Sequence, residues 1–253
     1  RSNWLKVLSE TVEPGCEIGM EACGGAHHWA RELQARGFKV KLISPQFVKP
    51  YLKSLKNDVN DAEAICEAMS RHHMRFVAIK SVEQQDIQAL HRVREGLKQS
   101  RTAKGNQIRG LVAEYGLVAP KQMGSLRKAI PCWLEDAENG LQVAFRALLH
   151  GLWQDLQYTD ERLTELDKEI LLLSERHPDA KRLKQLRGIG PLTATAMVAQ
   201  FGDGRQLRRG RQAAASVGIT PRHAGTGGKN WISGITKRGN PYLRSILIHG
   251  ARS

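Results

Sequence analysis

The chain has 253 residues, 41% hydrophobic and 25% charged, enough for one large or two ordinary domains, and no run of about 18 apolar residues that would cross a membrane. Its net charge of +14 is unevenly placed: residues 181–253 hold 14 Lys or Arg against a single acid, Asp203, which is +13 and leaves +1 for residues 1–180. A segment that basic repels itself unless it meets a polyanion, so nucleic acid is the expected partner, with a merely basic surface as the plainer reading.

In chain order, RSNWLKVLSE has neither the apolar core nor the cleavage site of a signal peptide. Cys16, Cys23, Cys66 and Cys132 are scattered with no CxxC pair, which argues against a zinc site and a disulfide framework and fits a reducing cytoplasm. Residues 1–83 read as α/β. CEIGMEA is a short apolar strand, HHWARELQARG a helix ending at Gly37, and FKVKLIS an alternating strand closed by Ser-Pro; strand, helix, strand implies a parallel pair. A further helix runs from about Asn60 to His72, with MRFVAI as another strand. In KSLKNDVNDAEAI, Asp58 and Asp61 stand three apart at a helix start. They either suit the helix N-terminus or share one face and hold a cation, with Glu21 projecting from a strand end as a third oxygen donor. Such a set suits Mg²⁺, and two ions about 4 Å apart would clamp a phosphodiester displacement.

Residues 84–180 read as long helices. Ile87, Leu90, Arg94, Leu97, Arg101, Lys104, Ile108, Leu111 and Tyr115 keep a 3/4 spacing with cations at the centre, and Arg94, Arg101 and Lys104 are candidate nucleic-acid contacts. Leu149, Leu152, Leu156, Leu163, Leu166, Ile170 and Leu173 form a second series, with GLVAPKQMG and KAIPCW read as interruptions between the two. Two antiparallel helices in a coiled-coil arm, suited to dimer or tetramer formation, and an ordinary bundle core both fit this pattern. Residues 181–253 are the basic domain. There LKQLRGIGPLTATAMVAQFG has the shape of a helix-hairpin-helix, the first helix ending at Gly188, with Gly188 and Gly190 presenting N–H groups to a phosphate; a plain turn is the alternative. GTGGKN is not a P-loop, the pairs His27-His28 and His72-His73 lack zinc-ligand spacing, and Trp153 and Trp231 are either core residues or base-stacking platforms.

The stretch ASVGITPRHAGTGGKNWISGITKRGNPYLRSILIHGA resembles the C-terminal motif of the DEDD-type, Piv-invertase-like insertion-sequence transposases, recombinases guided by a structured bridge RNA. LRGIGPLTA, Glu21 and the segment with Lys56, Asp58 and Asp61 match the family as well. The resemblance implies a RuvC/RNase H-like domain over 1–83, a helical arm over 84–180 and a helical transposase domain over 181–253. It implies Mg²⁺ held by Glu21, Asp58 and Asp61, with Thr226 as the hydroxyl nucleophile that forms a phospho-enzyme. Arg222, Lys229, Lys237, Arg238 and Arg244 would then contact nucleic acid. The family has a fourth carboxylate on an N-terminal strand, for which no candidate precedes Glu21, so the chain is expected to lack that first strand. It also carries serine where Thr226 stands, and Ser233 and Ser216 are the alternative hydroxyls; from spacing alone Thr226 is equally a turn residue. A RuvC-like structure-specific nuclease and a non-catalytic RNA- or DNA-binding scaffold are the rival functions.

Overall fold

The computed structural model describes residues 2–52, 57–119 and 121–252, and the chain divides after Glu83 into two units. The first unit holds α1 (Ser2–Thr11), β1 (Glu17–Glu21), α2 (Ala26–Ala35), β2 (Lys39–Ile43), α3 (Pro45–Val48), α4 (Asp58–Ser70) and β3 (Phe76–Val77). Strand order is β1-β2-β3. β1 and β2 are parallel, with Glu17 opposite Lys39 and Glu21 opposite Ile43, as the strand–helix–strand pattern requires. β3 is only two residues long and antiparallel to β2, so MRFVAI yields much less strand than its composition suggests.

Leu42 and Ile43 are both fully buried, and adjacent strand residues point to opposite faces. Leu42 packs with Ala26 and Ala30 of α2, and Ile43 packs with Val48, Ala64 and Ala68 on the α4 side. The sheet is therefore covered by a helix on each face, and each large side chain so buried contributes ~1.5–3 kcal/mol. Trp4 of α1, a helix the pattern reading omits, meets Trp29 of α2 edge-on with ring centres 5.3 Å apart.

The second unit contains α5 (Val82–Ala113), α6 (Met123–Glu135), α7 (Val143–Arg176), α8 (Pro178–Leu183), α9 (Pro191–Phe201), α10 (Gly210–Val217), β4 (Pro221–Thr226), β5 (Lys229–Ile235) and α11 (Pro241–Gly250). α5 and α7 run to 32 and 34 residues, and their ion pairs fix them as antiparallel: Arg94–Asp167, Arg101–Asp160 and Lys104–Asp155 descend one helix as they climb the other. The far end is closed by α6, whose Leu126 and Ile130 join Ile108, Val112, Leu141, Leu149 and Leu156 in one core. The near end joins Ile87 to Ala180, Ala194, Val198 and Ala199. α9 is buried nearly all round and also meets Val217 of α10 and Leu243 of α11 through Ala196.

Three expectations need correction. KAIPCW does not interrupt; it lies inside α6, Pro131 included. Arg146 of α7 finishes that helix by donating to the carbonyls of Trp133, Leu134 and Asp136, satisfying groups a helix end leaves open. α8 ends at Leu183, five residues before Gly188, because Gln185 and Leu186 bond three residues back and tighten the chain into turns. The basic domain is not wholly helical either: residues 221–235 form an antiparallel hairpin. Among the described residues no helix is long and apolar enough to cross a membrane.

Candidate functional site

Asp58 and Asp61 form the acidic first turn of α4, but neither is its cap. Asn57 does that work, its side-chain oxygen accepting from the Asn60 N–H at 2.7 Å. Glu21 closes β1 two residues after Gly19, on the same face of the sheet. That face is covered by α4: a Cβ on Gly19 would lie 2.0 Å from Met69 Sδ and 2.9 Å from Ile65 Cγ2, so only glycine lets helix and strand approach so closely. Asp61, Ile65 and Met69 are spaced by four and share one stripe of α4. Glu21 thus points to the side of the sheet on which α4 packs, and no described residue ties up any of the three carboxylates in an ion pair.

The three are not brought together. Among the described residues, no group of three or more His, Cys, Asp or Glu side chains is placed to hold a metal ion. The donor chemistry suits a hard cation, but two carboxylates on a turn and a third on a strand end fall short of a coordination shell. Lys56 lies outside the described residues.

Thr226 sits at the tip of the β4–β5 hairpin. The two-residue turn is Gly227-Gly228, with φ of 57° and 79°, the left-handed backbone that a tight hairpin demands and glycine supplies. Thr226 pairs with Lys229, Ala224 with Trp231, and Arg222 with Ser233. Directly opposed residues share a face and alternate residues share a face, so Thr226, Lys229, Trp231, Arg222 and Ser233 all lie on one side of the ribbon. Gly225 and Asn230 lie on the other, where a Cβ at 225 would come 2.5 Å from Asn230 Oδ1. Residues 221–234 are exposed on both faces. Of the alternative hydroxyls, Ser233 shares the Thr226 face, whereas Ser216 is half-buried in α10 and donates to the Ala213 carbonyl at 2.7 Å.

The other candidate contacts divide by their surroundings. Lys237, with φ 55°, and Arg238 are exposed on a loop that packs on the end of α10, where a Cβ at Gly218 would meet Arg238 O at 2.0 Å. Arg244 is half-buried and donates to the Val217 carbonyl at 2.9 Å, which gives it a structural duty. Gly188, with φ 81°, backs onto Gly250, whose carbonyl oxygen a Cβ would meet at 2.6 Å; Gly190 precedes α9 as its cap residue. The Ile189 N–H between them is spent on the Leu186 carbonyl. Arg94, Arg101 and Lys104 face α7 and are held by its aspartates.

Comparison with known proteins accounts for both ends of the chain. The model of the transposase IS116/IS110/IS902 family matches residues 180–253, and a DEDD transposase model of the IS110 type matches residues 2–117. A "probable family 20 transposase" of Pseudomonas aeruginosa is 46% identical over 241 residues, covering 95% of this chain and 71% of that protein. The transposase for insertion sequence element IS1111A of Coxiella burnetii is 44% identical over all of this chain and 69% of its own length. The transposase for element IS1328 of Yersinia enterocolitica is 40% identical, covering 94% of this chain and 71% of that protein. The chain belongs to the IS116/IS110/IS902 transposase family. The DEDD match takes in Glu21, Asp58 and Asp61, and the second match takes in the hairpin with Thr226.

Two groups in this transposase escape a motif reading. Arg208, Arg209 and Arg211 are exposed at the start of α10, and the dense run LRRGR could have flagged them. His91 of α5 is 3% exposed and joins three helices: Nδ1 lies 2.8 Å from Tyr242 Oη on α11, and Nε2 lies 2.9 Å from Thr195 Oγ1 on α9. Thr195 donates its own proton to the Pro191 carbonyl at 2.9 Å, so it accepts from Nε2–H, and Nδ1 accepts from Tyr242. Burial, helped by Arg94, lowers the imidazole to about 4, and burial pushes the Tyr242 phenol up to about 12. No local spacing reveals this cluster, since His91 lies over 100 residues from each of its two partners.

Proposed function

We propose that this transposase cuts and rejoins DNA at an insertion sequence, with Thr226 as nucleophile and a structured RNA as guide. The carrying observation is the position of Thr226, exposed at the tip of a basic ribbon and opposite Lys229. In the step we propose, Thr226 Oγ loses its proton and bonds to phosphorus, and the bond to the neighbouring nucleotide's oxygen breaks, that oxygen taking up a proton to leave as a hydroxyl. A hydroxyl from a second strand then reverses the step. One phosphodiester replaces another throughout, so no external energy is needed. Lys229 stands where its ammonium would offset phosphate charge, and Arg222, Lys237 and Arg238 extend the same cationic surface.

Glu21, Asp58 and Asp61 are proposed as ligands for Mg²⁺, on the support of their hard oxygen donors, which no described residue holds in an ion pair, and of their place in the DEDD match. Residues 1–83 read as a RuvC-like domain, 84–180 as a coiled-coil arm and 181–253 as the domain containing a helix-hairpin-helix. The excess of +13 in the last 73 residues supports nucleic-acid partners, DNA and RNA alike. Gly188, Gly190 and Arg244 would position backbone for such contacts, whereas Arg94, Arg101 and Lys104 contribute mainly to the arm. Exposed Tyr158, Leu171 and Leu172 on α7 support assembly into a dimer or tetramer, and the scattered cysteines, none in a CxxC pair, support a reaction in the cytoplasm.

The test is recombination between element-end DNA and target DNA with Mg²⁺ and RNA transcribed from the element flank. Joined product is expected when the first strand and its carboxylate are restored ahead of the chain, and not with Thr226→Ala, with Asp61→Ala, or when metal or RNA is withheld. Full-rate joining by Asp61→Ala would remove the metal ligands from the account, and RNA-independent joining would remove the guide.

A further inference from the structure

Trp231 is 57% exposed and its neighbour Ile232 70% exposed, on a ribbon whose residues 221–234 are all exposed. Large apolar side chains in such a place call for an occupant. The surroundings indicate its charge. No acid occurs between Asp203 and the last residue, and Trp231 stands on the ribbon face that carries Lys229 and Arg222. The order along β5 is cation, then aromatic two residues on; that step is ~7 Å, comparable to one nucleotide of an unstacked strand. Across from Trp231 is Ala224, whose small side chain leaves the indole face uncovered. Cations alternating with an aromatic face form the surface that grips a single nucleic-acid strand, phosphates on the cations and a base on the ring.

We propose that Trp231 stacks on an unpaired base of the DNA strand whose phosphates lie against Lys229 and Arg222. The inference rests on the transposase reading for the identity of the strand: it is the one presented to Thr226. Stacking would hold the base out of its helix and fix the neighbouring phosphate near the Thr226 hydroxyl, which makes Trp231 a positioning residue.

The probe is a set of single-stranded DNA oligonucleotides, each carrying one 2-aminopurine, titrated with the 253-residue chain. Strong quenching at one register is expected for the wild-type chain, for Trp231→Phe and for Thr226→Ala. Trp231→Ala should lose that quenching and bind on the order of tenfold more weakly. The side chain is exposed, so far-UV circular dichroism should match the wild type. Quenching unchanged in Trp231→Ala, or absent from every register in the wild type, would overturn the proposal. So would a change of sedimentation in Trp231→Ala without DNA, which would make the ring a contact between protein copies. Because Thr226→Ala keeps the stacking, failure of the nucleophile reading is seen separately, as strand joining that persists in Thr226→Ala while the quenching is unchanged.

Discussion

At the scale of single residues, the second unit is organised by buried polar groups as much as by leucines. His91 is neutral, donates to Thr195 and accepts from Tyr242, and almost no water-facing surface is left to it. Its folded state titrates near 4, whereas an unfolded histidine titrates near 6.5. Between those values the unfolded chain binds a proton that the folded chain refuses, so stability falls as pH drops through the window and is complete above it. The contribution is on the order of 3 kcal/mol. Urea midpoints measured from pH 7 to pH 4.5 should fall more steeply for the wild type than for His91→Leu. Parallel slopes would mean that His91 is not buried neutral. The candidate site shows a similar contrast. The Asp58–Asp61 spacing was visible in the sequence, but whether Glu21 joins them depends on how closely α4 approaches β1, which is a matter of Gly19, Ile65 and Met69 rather than of any motif.

Among the elements, those fixed by local pattern were legible: β1, α2, β2 and α4 follow strand alternation, helical periodicity and the glycine after α2. α6 was not, since its closure is supplied by Arg146 from the next helix, and the hairpin carries only one local signal, the Gly-Gly turn between two short exposed strands. The cations along α5 look misplaced for a coiled coil until α7 is laid beside them. Asp160 takes both Arg101 of α5 at 3.3 Å and Arg127 of α6, whose Nε donates to it at 2.7 Å. Asp160→Asn would strand two guanidinium groups in a partly buried seam, one of which already has a buried Nε without a partner. The expected loss is roughly 1–3 kcal/mol, read as a lower thermal midpoint. An unchanged midpoint would show the pairs to be mere surface decoration.

For the whole molecule, the division of charge follows the division of labour. Acids balance bases through residue 180, while beyond it the bases stand nearly alone and are largely exposed. The carboxylates lie in the first unit and Thr226 in the second, which accords with two separate family matches. The proposed chemistry happens at the hairpin hydroxyl. The test is to incubate the transposase with labelled element-end DNA, target DNA, element-flank RNA and Mg²⁺, then denature, digest with protease and sequence the labelled peptide by mass spectrometry. A nucleotide linked through phosphate to Thr226 is expected, and no linked peptide from Thr226→Ala. Strand cleavage with no linked peptide, or a label on Ser233 or Ser216, would contradict it.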